Sequence, residues 1–426
     1  MNTLKLFLAG FCSLLVFAGS AGAEKSYDYP LEDAYAATII GTPNAFKASL
    51  PENIKVKQLK MTVFPDRKTP DVFWYQDKLR YSLAYQKKEA PLIFIIAGTG
   101  AGYNSSKMKM LQSAFWGAGL HVICLPSPTH PNFMVNASTS QMPGNSVEDA
   151  IDLYRVMDLA WQQARKKIKV SEFYLTGYSL GAAESAYVSK LDEEKGLFNF
   201  KKVLMINPPV SLFNSVVILD GMLENNIPGG IDNFAEYFGK AMTRFTEFYE
   251  AHAALDFQDD FLYAIYNENN PSETGMAAII GLSFRISSSN MLFSSDVLNH
   301  AGYIVPKNLK LSSTDSLTAY SKVTGRQSFV DYVDNLFFPY FSAADPGLTK
   351  AELISGTSLV AIEDYLKSAG KIGLLTNSDD LILAPGEVDY LKQIFQARAK
   401  IYPRGGHCGN IDHKDNVAYM INFFSN

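Results

Sequence analysis

The chain has 426 residues, of which 47% are hydrophobic and 19% charged, with a formal net charge of -5. This ordinary globular balance supplies ample material for a buried core. The mild acidity argues against nucleic acid as a partner, because phosphate backbones are bound by a surplus of Lys and Arg. The one short basic cluster, Arg165, Lys166, Lys167 and Lys169, reads as the end of a helix, where cations suit the dipole.

At the N-terminus, Lys5 precedes the apolar run LFLAGFCSLLVFAGS, and Ala21-Gly22-Ala23 stands before Glu24. A basic start, an apolar middle and an A-x-A end describe a secretory signal peptide over residues 1–23, cleaved after Ala23. The expectation is an exported protein, periplasmic or secreted; an uncleaved anchor is the competing reading. After cleavage only Cys124 and Cys408 remain, enough for one disulfide but not for a disulfide framework. Residues 24–54 are mixed in character and read as a surface wrap.

Residues 56–64 alternate and predict a strand, and 79–85 a second. PLIFIIAG at 91–98 and HVICLPSP at 121–128 are short uninterrupted apolar runs, the pattern of strands buried on both faces in a parallel sheet. A helix is predicted over 105–116 between them. Another starts at Asn145 and carries apolar positions through Trp161. EFYLTG and KVLMINPP (202–209) are the next strands. The β-α alternation over 91–209 implies a mostly parallel sheet with helices on both faces. It resumes with a strand at 371–377, a helix at 386–398, a strand at 400–406 and a closing helix at 415–424. Between them the rhythm turns helical. Residues 24–210 and 370–426 are therefore expected to form one α/β core, interrupted by a helical cap over 211–369.

Strand, Gly177-Tyr178-Ser179-Leu180-Gly181, helix is a nucleophile-elbow pattern. Glycine and serine are each near roughly 7% of residues, so the pattern alone arises by chance in about one chain in seven of this length. Its placement between a buried strand and a helix of small residues raises the odds. A tight strand-to-helix turn exposes the serine, and the helix N-terminus faces developing negative charge. A serine needs a base. Of the six histidines, His407 follows the last predicted strand in PRGGHCGN, where glycines allow a loop over the sheet edge. His121 opens a buried strand and His413 sits at the start of the last helix, so both read as structural. His130 lies in a Pro-rich loop that could line a site, and His252 and His300 lie in the cap. Asp379 and Asp380 both follow the strand at 371–377, and the residues alone leave both open as the carboxylate that orients the histidine. No set of His, Cys, Asp or Glu has metal-site spacing, and neither metal nor organic cofactor is expected.

With these motifs in the order Ser, Asp, His, the chain resembles the α/β-hydrolase superfamily over about residues 54–210 and 370–426. The resemblance implies Ser179 as nucleophile, His407 as base and Asp380 as acid, three residues beyond the turn-forming Asn377. It also implies an oxyanion hole in the 97–102 loop, where the N–H of Thr99 or Gly100 would join that of Leu180. Many members carry His-Gly in this loop; here it is Ala97-Gly98. The implied activity is that of a serine hydrolase, esterase- or lipase-like. A peptidase or amidase, and a non-catalytic member binding lipid or protein, stay open.

In the cap, Ile231, Phe234, Phe238, Met242, Phe245 and Tyr249 recur at helical spacing, either as an acyl-pocket wall or as an ordinary buried face. The apolar stretch at 275–284 reads either as internal packing or as a peripheral contact with lipid, and FFPYF at 337–341 adds aromatics. Together they lean toward a small ester with an apolar or lipid-like acyl group.

Overall fold

The computed structural model describes residues 27–240, 243 and 272–425. The expected signal peptide, His252 and the Met242, Phe245 and Tyr249 part of the aromatic stripe lie outside them. The N-terminal stretch does more than wrap the surface: it opens with helix α1, Ala34–Ile40, capped by the Asp33 carboxylate on the Ala36 N–H.

Eight strands form one sheet: β1 Val56–Met61, β2 Leu79–Ala84, β3 Ala90–Ile96, β4 His121–Leu125, β5 Val170–Tyr178, β6 Lys202–Ile206, β7 Ile372–Asn377 and β8 Ala399–Tyr402. Every residue of β4 and β7 is buried, as uninterrupted apolar runs require when helices cover both faces. Strand ends follow backbone chemistry. β4 stops before Pro126, which has no N–H to donate. β8 is shorter than expected because Pro403 follows it and Gly405 and Gly406 take positive φ. β6 stops at Asn207, whose φ of 48° leaves the extended region.

The strand order is β1-β2-β4-β3-β5-β6-β7-β8. β2 is antiparallel to both of its neighbours, and all pairs from β4 to β8 are parallel. This is the α/β-hydrolase architecture expected from the sequence. Helices α2 (Ser106–Gly117), α3 (Pro131–Asn136), α4 (Ser146–Ala164) and α5 (Leu180–Lys195) follow in the first part of the chain. α4 and α5, with the Glu387–Phe395 helix, bury one face of the sheet; α2 and the last helix, Lys414–Ser425, bury the other.

Between β6 and β7 the described residues hold helices and no strand. The first is α6, Leu212–Glu224, and the longest is Glu273–Asn299. The long helix is long and apolar enough to cross a membrane by length and composition alone. Here it packs on α1, α3 and α6. Met276, Ala277, Ala278, Gly281, Leu282 and Phe284 are buried, so most of the apolar stretch at 275–284 is spent on internal packing. Arg285 is 1% exposed, and its guanidinium donates to Asp220 at 3.0 Å and Glu224 at 2.7 Å. The other Asp220 oxygen accepts from the Phe329 N–H at 2.7 Å. One buried ionic group thus ties three helical segments together, and removing Arg285 would leave the buried Asp220 carboxylate without its cation.

Candidate active site

β5 runs straight into α5, and Ser179 occupies the turn with φ 54° and ψ -127°. A non-glycine residue pays for that conformation, and such strain persists only where the surroundings impose it. The flanking glycines permit the crossing. A Cβ on Gly177 would lie 2.1 Å from the Gly181 carbonyl oxygen, and one on Gly181 would lie 2.2 Å from that of Ile96. Neither position has room for a side chain.

Ser179 Oγ lies 3.0 Å from His407 Nε2, and His407 Nδ1 lies 2.9 and 3.1 Å from the two Asp380 oxygens. A carboxylate accepts only, so Nδ1 carries the proton and donates it, and Nε2 turns its lone pair to the serine hydroxyl. Asp380 is held in turn. Its Oδ2 accepts from the Asn207 side-chain amide at 2.8 Å and its Oδ1 from the Ile382 N–H at 3.2 Å. Burial works to lower the His407 pKa, but the Asp380 carboxylate, helped by Cys408, outweighs it and holds the value well above the ordinary histidine range.

The loop bearing His407 is unusual backbone: Gly405, Gly406 and Cys408 all have positive φ. The Asp379 carboxylate reaches across to this loop and accepts the Gly405 and Gly406 N–H groups at 3.1 and 3.0 Å. The Asn377 amide donates to the Gly406 carbonyl at 2.7 Å.

In the 97–102 loop, the Gly100 N–H donates to Thr129 Oγ1 at 2.8 Å. That corrects one expectation, because a donor committed to Thr129 is not free for an oxyanion. Thr129 is buried and its hydroxyl lies 2.9 Å from that of Ser127, so this pair straps the loop to the segment after β4. The N–H groups of Thr99 and Leu180 have no hydrogen-bond partner among the described residues. A Cβ on Gly100 would lie 2.7 Å from Ser287 Oγ, which puts the long helix directly against this loop.

The other histidines among the described residues have structural partners. His121 accepts from the Gln86 N–H, with its other ring nitrogen 3.0 Å from the Lys169 carbonyl. His130 caps α3 through the Asn132 N–H, His413 accepts from the Asp415 N–H, and His300 closes the long helix in a left-handed turn. Cys124 and Cys408 are both buried and free. Among the described residues, Asp28, His413 and Asp415 could offer three metal ligands. The Lys414 ammonium already pairs with Asp28 at 2.5 Å there. A cavity of about 290 Å³ lined by Val72, Val297, Val305 and Leu311 contains none of Ser179, Asp380 and His407; hydrogen-bond geometry, not volume, marks the candidate site.

Thr38, Thr129 and Asn207 were not singled out from sequence. Each acts on a partner far away in the chain, and no local pattern distinguishes it.

The sequence matches no family model and no curated protein. Several solved structures are similar in fold. Est1E from Butyrivibrio proteoclasticus shares 10% identity over 86% of this chain and 99% of its own, with a TM-score of 0.39. The thioesterase domain from the curacin biosynthetic pathway shares 12% over 87% and 100%, with a TM-score of 0.37. A structure from a study of two fungal esterases of Rhizomucor miehei shares 14% over 92% and 87%, with a TM-score of 0.41. At such identities and scores the likenesses add nothing to the functional argument, which rests on the residues.

Proposed function

We propose that this chain is a serine hydrolase that cleaves a carboxylic ester. The observation that carries the reading is the unbroken line from Asp380 through His407 to Ser179. His407 Nε2 takes the hydroxyl proton as Ser179 Oγ attacks the ester carbonyl. The N–H groups of Thr99 and Leu180 receive the oxyanion, at the N-terminus of α5 where the helix dipole favours negative charge. The imidazolium, stabilised by Asp380, returns its proton to the leaving alcohol. Water then attacks the acyl-enzyme with His407 again as base, releasing acid and free Ser179. The segment between β6 and β7 covers the site and selects an apolar or lipid-like acyl group, since its long helix abuts the 97–102 loop. The protein is exported after cleavage at Ala23, as the N-terminal pattern indicates.

A fluorophosphonate probe tests the reading. It should label the wild-type protein and not a folded Ser179→Ala variant, and p-nitrophenyl esters of graded chain length should be turned over faster than the matching anilides. Equal labelling of Ser179→Ala would end the serine-hydrolase reading.

A further inference from the structure

The His407 loop is held by a segment the sequence places more than 360 residues away. The His407 N–H donates to Thr38 Oγ1 at 2.9 Å, across 369 positions of chain. The Thr38 hydroxyl gives its own proton to the Ala34 carbonyl at 2.7 Å, which leaves a lone pair aimed at His407. Together with Asp379, this means side chains take each of the N–H groups of Gly405, Gly406 and His407. The contact is close along its length. A Cβ on Gly406 would lie 2.3 Å from the Ala34 carbonyl oxygen, and one on Gly409 would lie 2.0 Å from that of Ala37. α1 is pressed onto the loop from outside the sheet, and its other side packs Ala36 and Ile39 against Met276 of the long helix.

We propose that Thr38 is a positioning residue for His407, and that α1 is therefore part of the active site rather than a surface wrap. The physical reason is the loop's own conformation. A turn with Gly405, Gly406 and Cys408 at positive φ has no regular ladder to hold it. Its imidazole must nevertheless meet Ser179 and Asp380 together, and a misplacement of about 1 Å can cost about a hundredfold in rate. Asp379 holds the two glycines from the sheet side; Thr38 holds the histidine's own N–H from the other.

The inference rests on the proposed hydrolase reading for its kinetic arm and has a second arm that does not. Thr38→Val keeps the shape and removes the acceptor, whereas Thr38→Ser keeps it. Thr38→Val should lower kcat for p-nitrophenyl acetate roughly 10- to 100-fold with KM within about threefold, and Thr38→Ser should restore it. The downfield proton resonance of His407 Nδ1–H, recorded by NMR on the resting protein, should weaken or shift in Thr38→Val and return in Thr38→Ser. If wild type neither turns over esters nor reacts with a fluorophosphonate, the hydrolase reading fails, and the NMR arm still decides the role of Thr38. An unchanged resonance and an unchanged kcat in folded Thr38→Val, or equal losses in the Val and Ser variants, would overturn the inference.

Discussion

The side-chain amide of Asn207 donates to Oδ2 of Asp380 at 2.8 Å, from the end of the neighbouring strand. Asn207 sits at φ 48°, just past β6, and its own N–H donates to the Leu375 carbonyl at 2.7 Å. The donor is therefore fixed to the same strand, β7, that delivers Asp380. It supports the carboxylate face that the imidazole shares. Asn207→Ala should lower kcat about tenfold with KM little changed, since one charge-assisted bond is worth roughly 1.5–3 kcal/mol. Steady-state kinetics with a short ester checks this; a rise in KM at constant kcat would place Asn207 in substrate binding instead.

Asp380 and Asp379 should differ in kind. Asp380→Asn should leave the fold intact and lower kcat by roughly 10⁴-fold, because the imidazole loses its partner and favoured tautomer. Asp379→Ala leaves the Gly405 and Gly406 N–H groups without acceptors, which should cost about 1–3 kcal/mol of stability and a smaller loss of kcat through the displaced loop. Kinetics paired with denaturant titration separates the two. Equal catalytic losses with unchanged stability would contradict the division of labour.

The proposed base works only when neutral. His407 has its pKa raised well above the ordinary value, because Asp380 outweighs the lowering by burial. The acidic limb of kcat/KM should therefore fall above about pH 6.5, the unperturbed histidine value. The linkage has the opposite sign for stability. The raised group stabilises the fold fully below its unfolded pKa, and that contribution is lost as pH rises through the folded value. Activity should climb over the window in which this contribution falls. Asp380→Asn should move any residual limb to lower pH; a limb that stays put would assign it to another group.

Glu184 lies in the second turn of α5, fully buried, and neither of its carboxylate oxygens has a partner at hydrogen-bond geometry among the described residues, with the Ser146 hydroxyl nearby. Burial pushes its pKa well above the usual carboxylate range, and nearby Asp149 pushes it further. A carboxyl raised in the folded state stabilises below its unfolded pKa and ceases to as pH rises through the folded one. Wild type should lose melting temperature from about pH 5 upward more steeply than Glu184→Gln. Thermal unfolding across pH checks this, and parallel curves would show that Glu184 is not the titrating group.

Much of the architecture is local information. The apolar runs of β3, β4 and β7 and the glycines at 177 and 181 can be read from short windows, because a strand buried on both faces and a turn without room for Cβ each leave a composition signature. Ser179 and His407 stand out in the chain for the same reason, each following a recognisable strand; Asp379 and Asp380 stand out together after β7, and only the resemblance favours Asp380. What holds them does not stand out. Thr38, Thr129 and Asn207 are short polar residues of the kind found in any turn or helix end, and nothing within ten residues of each marks it; Asp379 is marked only as one of two candidates for the acid, not as the holder of the His407 loop. Their partners lie 369, 29, 173 and 26 to 27 positions away. Only the assembled sheet, which brings α1, β6 and β7 to the edge where the His407 loop turns, decides which backbone groups they satisfy. It also decides that the Gly100 N–H is spent on Thr129, leaving Thr99 and Leu180 as the unengaged donors. A hydrogen bond is chosen by distance and angle in space, and chain order carries neither.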